Sequence, residues 1–124
     1  MLRVRKPTDG AKNAVFEVVV SGMSKDLDWT TVVDISQLTN PACKRVRIDE
    51  IYYAISDKVE VQIAWHHPDS ERHELMPLAG RGRFAWPDSA PSAPLGDHTG
   101  NLEIRTIGLK AGQLAYLLFD MTKQ

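Results

Sequence analysis

Three histidines lie close together, His66, His67 and His73, with Asp69, Glu71 and Glu74 among them. Imidazole nitrogens and carboxylate oxygens are ligands for zinc and similar divalent ions, and His98 would add a further nitrogen. The spacing argues against a shared ion. No His-Glu-x-x-His motif is present. Adjacent side chains on a strand point to opposite faces, so His66 and His67 cannot both ligate one ion if they extend a strand. The plainer reading is a polar strand end near Pro68-Asp69, and no metal or other cofactor is expected.

The remaining reactive types also favour plain roles. Cys43, the only cysteine, is followed by Lys44-Arg45, cations that would lower its pKa; a lone small thiol is more often a packing residue at a strand start. Asp49-Glu50 is a carboxylate pair of the kind used in acid–base chemistry on sugars, yet nothing separates it from a solvated turn. No Gly-x-Ser-x-Gly elbow occurs, and no catalytic activity is expected. Gly80-Arg81-Gly82-Arg83-Phe84 joins glycines to arginines before two aromatics, Phe84 and Trp86, which suits an anion or a single-stranded nucleic acid. A tight turn with Phe84 and Trp86 as core anchors fits it better, because the net charge is −1 and the motif stands alone. Trp29 and Trp65 share parity with aliphatic neighbours and are placed inward, which leaves Trp86 as the freest indole for stacking on a sugar.

The elements that would position these residues have mostly a period of two. Residues 14–20 are dense in β-branched and aromatic types and stop at Ser21-Gly22. Trp29, Thr31, Val33 and Ile35 form one face of a second run. Val46 and Ile48 share a face, but Ile51, Tyr53 and Ile55 take the opposite parity, which predicts a bulge or a face switch near Asp49-Glu50. Val59, Val61, Ile63 and Trp65 make the cleanest inward face, set off from the preceding run by a two-residue hairpin turn at Ser56-Asp57. Shorter runs follow at 74–78 and 83–86, then a loop at 87–100 rich in proline, then Leu102, Ile104 and Thr106. Residues 113–122 are apolar on both parities and read as a buried strand rather than a helix. One short helical turn is expected near Ile35 to Leu38.

About eight short strands in 124 residues define an all-β, single-domain β-sandwich, jelly-roll-like, over residues 13–124, preceded by an N-terminal arm at 1–12. A single cysteine excludes a disulfide framework, and no apolar run is long enough for a membrane-spanning helix. The basic start lacks an apolar stretch after it, so no secretory signal is expected.

The runs 33–38, 43–53 and 59–65, the stretch Leu78-Ala-Gly80-Arg-Gly82-Arg-Phe84, and the ending 100–119 together resemble small virion proteins of tailed bacteriophages, in rhythm and scattered positions rather than through a diagnostic motif. The resemblance implies a non-enzymatic β-sandwich, made in the host bacterial cytoplasm and carried on the phage head as a capsid decoration protein. A head–tail connector or tail component is the alternative within that class, and a carbohydrate- or ligand-binding module the alternative outside it. It also implies partners of one kind, the major capsid protein or other virion proteins, with a homo-oligomer on the particle and no nucleic acid or membrane. Contacts are expected from the arm, through Leu2, Arg3, Val4, Arg5 and Lys6, and from the proline-rich loop Asp88 to Gly100, through Pro91, Pro94 and Leu95. Proline reduces the entropy lost on fixing a loop, and arginine forms planar bidentate pairs with carboxylates. Deleting residues 1–12 is expected to abolish particle binding and spare the fold. The plainer fate of the arm is packing on its own domain.

Overall fold

The computed structural model describes residues 1–39, 42–67, 72–86 and 99–124. Among these residues nine strands run in chain order: β1 (Leu2–Asp9), β2 (Asn13–Ser21), β3 (Thr30–Val33), β4 (Val46–Ile55), β5 (Glu60–Trp65), β6 (His73–Leu78), β7 (Arg81–Ala85), β8 (Leu102–Ile107) and β9 (Leu114–Lys123). A single turn of 3₁₀ helix, Ile35–Gln37, follows β3, its Ser36 N–H donating to the Asp34 carboxylate and its Ile35 N–H to the Asn101 amide oxygen. The short helical turn therefore falls where the sequence places it.

The strands form two antiparallel sheets, β1-β2-β9-β4-β7 and β3-β8-β5-β6. In them β5 pairs with β6, β4 with β7, β3 with β8 and β2 with β9. These are the nested pairs of one long hairpin rolled around a common core, which is the jelly-roll arrangement of a β-sandwich. Alternation supplies that core. Ala14, Phe16, Val18 and Val20 of β2 and Ala115, Leu117, Phe119 and Met121 of β9 point inward, and meet Val61, Ile63, Trp65, Leu102 and Ile104 from the other sheet. Residues 114–123 form a strand, as the sequence reading favours, and it lies at the centre of its sheet. Its outward residues Tyr116, Leu118 and Asp120 are only half-buried, so the apolar character on both parities does not reflect two covered faces.

The predicted phase change at Asp49-Glu50 is a β-bulge. Ile48 pairs with Met121 and Glu50 with the next residue, Asp120, so one extra residue lies on β4 and the inward set switches from Val46 and Ile48 to Ile51 and Ile55. A second bulge, between Thr31 and Val33, corrects the reading of Trp29. Thr31 faces outward with Glu103, whereas Val32 and Val33 are both buried. Parity counted back from Val33 is therefore wrong by one residue, and Trp29 lies on the outer side of the four-stranded sheet. The Ser56-Asp57 turn is also no hairpin: it carries the chain from β4 in one sheet to β5 in the other.

Gly108 shows how tightly that crossover is packed. It has φ of +86°, and a Cβ there would come within 2.6 Å of the Lys58 carbonyl oxygen. Only glycine fits.

Residues 1–12 are not an arm held apart from the domain. Leu2–Asp9 pairs along β2 as the outermost strand of the five-stranded sheet, and raises the strand count to nine. Its far end is latched: Asp9 bonds the nearly buried Lys123 ammonium, Lys6 at 3.2 Å and the Thr39 N–H at 3.1 Å. Deleting it would expose the edge of β2 and remove the Asp9 partner of Lys123, so the expectation of an intact fold without residues 1–12 does not follow from this arrangement.

Candidate functional site

The outer faces of the two sheets differ in character, and both hold residues that the sequence singles out. On the four-stranded sheet, Glu103 of β8 is buried, with one carboxylate oxygen accepting from Arg72 Nε at 3.0 Å. Its other oxygen has no hydrogen-bond partner among the described residues and lies 4.0 Å from His66 Nε2. His66 Nδ1 is 3.0 Å from the Thr99 hydroxyl. The guanidinium carbons of Arg72 and Arg105 stand 5.1 and 4.9 Å from the centre of the Trp29 ring. Arg105 donates to Gln62, which in turn donates to Glu60. The result is a linked polar network around one indole.

On the five-stranded sheet, the register aligns outward residues in transverse rows. One row runs Arg81, Ala54, Tyr116, Val19, Arg3; the next runs Arg83, Tyr52, Leu118, Glu17, Arg5. A third holds Ala85, Glu50, Asp120 and Val15. The three central strands thus carry tyrosines and aliphatics together with Glu17, Glu50 and Asp120, and arginines flank them on both edge strands. Two Arg–Glu–Tyr sets fix the side chains. Glu17 accepts from Arg5 at 2.7 Å and from the Tyr116 hydroxyl at 3.0 Å. Glu50 lies 3.9 Å from Arg83 and bonds Tyr52. The Tyr116 bond, helped by Arg5, holds the Glu17 carboxyl below its ordinary range, while burial and then Glu17 push the Tyr116 phenol up. Asp120 behaves differently. Burial beside Asp49 and Glu50 raises its pKa, and no hydrogen bond or ion pair reaches it among the described residues.

The contact residues expected from the arm divide by parity. Arg3 and Arg5 lie on this outer face, whereas Leu2 packs against the core and Val4, 38% exposed, takes the inner parity at the edge. Lys6 is drawn inward to the Gln37 carbonyl at 2.5 Å and to Asp9. Pro91, Pro94 and Leu95 lie outside the described residues, as do His98, Asp69 and Glu71.

His66 and His67 are half-buried and His73 is exposed at the start of β6. Among the described residues, no three histidine, cysteine or acidic side chains gather as for a metal ion. Cys43 packs against the core, and its thiol is pushed up by burial; the neighbouring cations do not prevail.

The glycine-arginine motif is strand β7 rather than a turn. Gly82 leaves room for the Tyr53 ring across the pair, where a Cβ would sit 3.2 Å from the phenol oxygen. Phe84 is 38% exposed at this edge and meets Trp86 edge-on, so of the two only Trp86 packs on the core.

The interface-like face escaped the sequence reading. Its signal is present in the alternate positions of β2, β4 and β9, but it needs the strand order to be seen.

These features define the chain as a jelly-roll β-sandwich with one networked face and one aromatic, arginine-flanked face. No family model, curated protein or solved structure matches it. No helix among the described residues is long and apolar enough to cross a membrane.

Proposed function

We propose that this protein is a non-enzymatic structural subunit of a tailed-phage particle, a decoration protein that binds the capsid surface and stabilises the head. The observation that carries the reading is the outer face of the five-stranded sheet. Tyrosine and arginine are the side chains most enriched where protein interfaces gain their energy, and here they are held in place by glutamates around Leu118, Val19 and Val15. A face of that composition serves adhesion between proteins. The jelly roll is also an architecture of viral capsid domains, a likeness of fold that adds weight by analogy alone.

A sugar-binding module is less well supported. The only indole on an outer sheet face among the described residues, Trp29, has two guanidinium groups over its ring, where a sugar would have to stack.

Cryo-electron microscopy of virions from the phage that encodes this chain tests the proposal. Jelly-roll density over the shell is the expected result. Density confined to the portal or tail would assign it to the connector or tail instead, and absence from the particle would overturn the reading.

A further inference from the structure

The aromatic face is polarised along its strands. At one end, the row through Tyr116 carries Arg3 and Arg81, and Arg81 makes no ion pair among the described residues. At the other end, the row through Asp120 carries Asp120 and Glu50, and no ion pair reaches Asp120 among the described residues. The row through Leu118 lies between them, with Arg5 paired to Glu17 and Arg83 3.9 Å from Glu50. Tyr116 and Asp120 are four residues apart on one strand, so the opposite charges are separated by roughly 14 Å.

A surface with unmatched positive and negative ends on either side of a row whose charges are paired within the chain complements itself under a two-fold rotation. We infer that this face joins two copies of the chain, related by a two-fold axis that crosses the strands at Leu118. That rotation reverses strand direction, so it lays the Arg3 and Arg81 row of each copy over the Glu50 and Asp120 row of the other. The row on the axis meets its own counterpart, with Arg5 and Arg83 already answered by Glu17 and Glu50, whereas an axis parallel to the strands would set the two unmatched ends like on like.

The size is adequate. Five strands spaced about 4.8 Å apart, with central strands rising about 3.3 Å per residue, offer roughly 20 by 30 Å, on the order of 600 Å² per copy. Standard interfaces use about 800 Å² per partner. Closure would also partner Asp120, whose ionised form is held at a disadvantage by burial next to Asp49 and Glu50. The inference rests on the reading of this face as an assembly surface, and makes a dimer the unit that the capsid holds.

Sedimentation equilibrium of the purified chain across the micromolar range is the test. A dimer is expected, and a monomer throughout would overturn the inference. Leu118→Arg should weaken it roughly 30-fold or more, the loss typical of a central interface anchor. Arg81→Glu should weaken it about 10-fold, and adding Asp120→Arg should restore it by reversing both ends of the face. A dimer indifferent to Leu118→Arg, or charge reversal without rescue, would also sink the proposed arrangement. Circular dichroism confirms that each variant is folded. Particle occupancy separates the two readings. A monomer that decorates heads only with Leu118 intact would mean that the face takes a capsid protein, and a two-fold dimer absent from virions would remove the phage function alone.

Discussion

The two outer faces of this sandwich have the same backbone and opposite chemistry. On the four-stranded sheet, charges are largely answered within the chain: Arg72 by Glu103, Arg105 by Gln62, and both guanidiniums by the Trp29 ring. On the five-stranded sheet Leu118 lies between two ends whose strong charges, Arg81 and Asp120, have no ion pair among the described residues. A network that answers most of its own charges, here all but one Glu103 oxygen among the described residues, stabilises its own fold. A face that does not is available to another protein. The contrast separates residues that hold the domain together from those that, on the proposed function, would hold it to another protein.

Substitutions on the two faces should therefore move different measurements. Trp29→Ala removes a half-buried indole and two cation–π contacts, and should cost about 2 kcal/mol in urea unfolding. Leu118→Ser on the other face should change the stability of the monomer by less than about 0.5 kcal/mol; equal losses would erase the distinction. Glu103→Gln keeps the shape but gives Arg72 an uncharged acceptor, and a loss of about 1 kcal/mol is expected.

Asp9→Asn tests the seam between the first and last strands through pH. Bonding to Lys123 lowers the Asp9 pKa to about 2, below its ordinary value of 3.8. The unfolded chain therefore takes up this proton first, and the pair's stabilisation, full above the ordinary value, is lost as pH falls toward about 2. Unfolding midpoints should decline less steeply between pH 4 and pH 2 in the variant than in the parent.

The smallest effect has the opposite sign. Asp120 has a raised pKa, so its ionised form opposes folding at neutral pH and the penalty fades as pH falls through the folded value. Asp120→Asn should stabilise the monomer by a few tenths of a kcal/mol at neutral pH, while weakening the dimer.

Much of the sandwich was legible because inward residues alternate, and the shift from Ile48 to Ile51 marked a bulge within β4. The bulge beside Val33 left no such mark, since Val32 and Val33 are both aliphatic and both buried, and Trp29 was assigned to the wrong side. The Ser56-Asp57 turn misled for another reason: two strands joined by a short turn look alike whether they pair or cross between sheets. The arm was set apart by its charge, yet Arg3 and Arg5 alternate with Leu2 and Val4 as an edge strand requires. Neither face could be read from local pattern, because each transverse row collects residues from β1, β2, β4, β7 and β9 at once.

The central position of β9 has a consequence for how the protein is made. Both β2 and β4 pair with this last strand, and the Asp9–Lys123 bond spans 114 positions. Until residues 114–123 leave the ribosome, β1-β2 and β4-β7 remain two separate ribbons with open edges. Long-range closure of this kind is slow, and it makes the final strand the step that commits the sheet. Chains cut short before it would present unpaired edges to chaperones and proteases rather than a finished sheet.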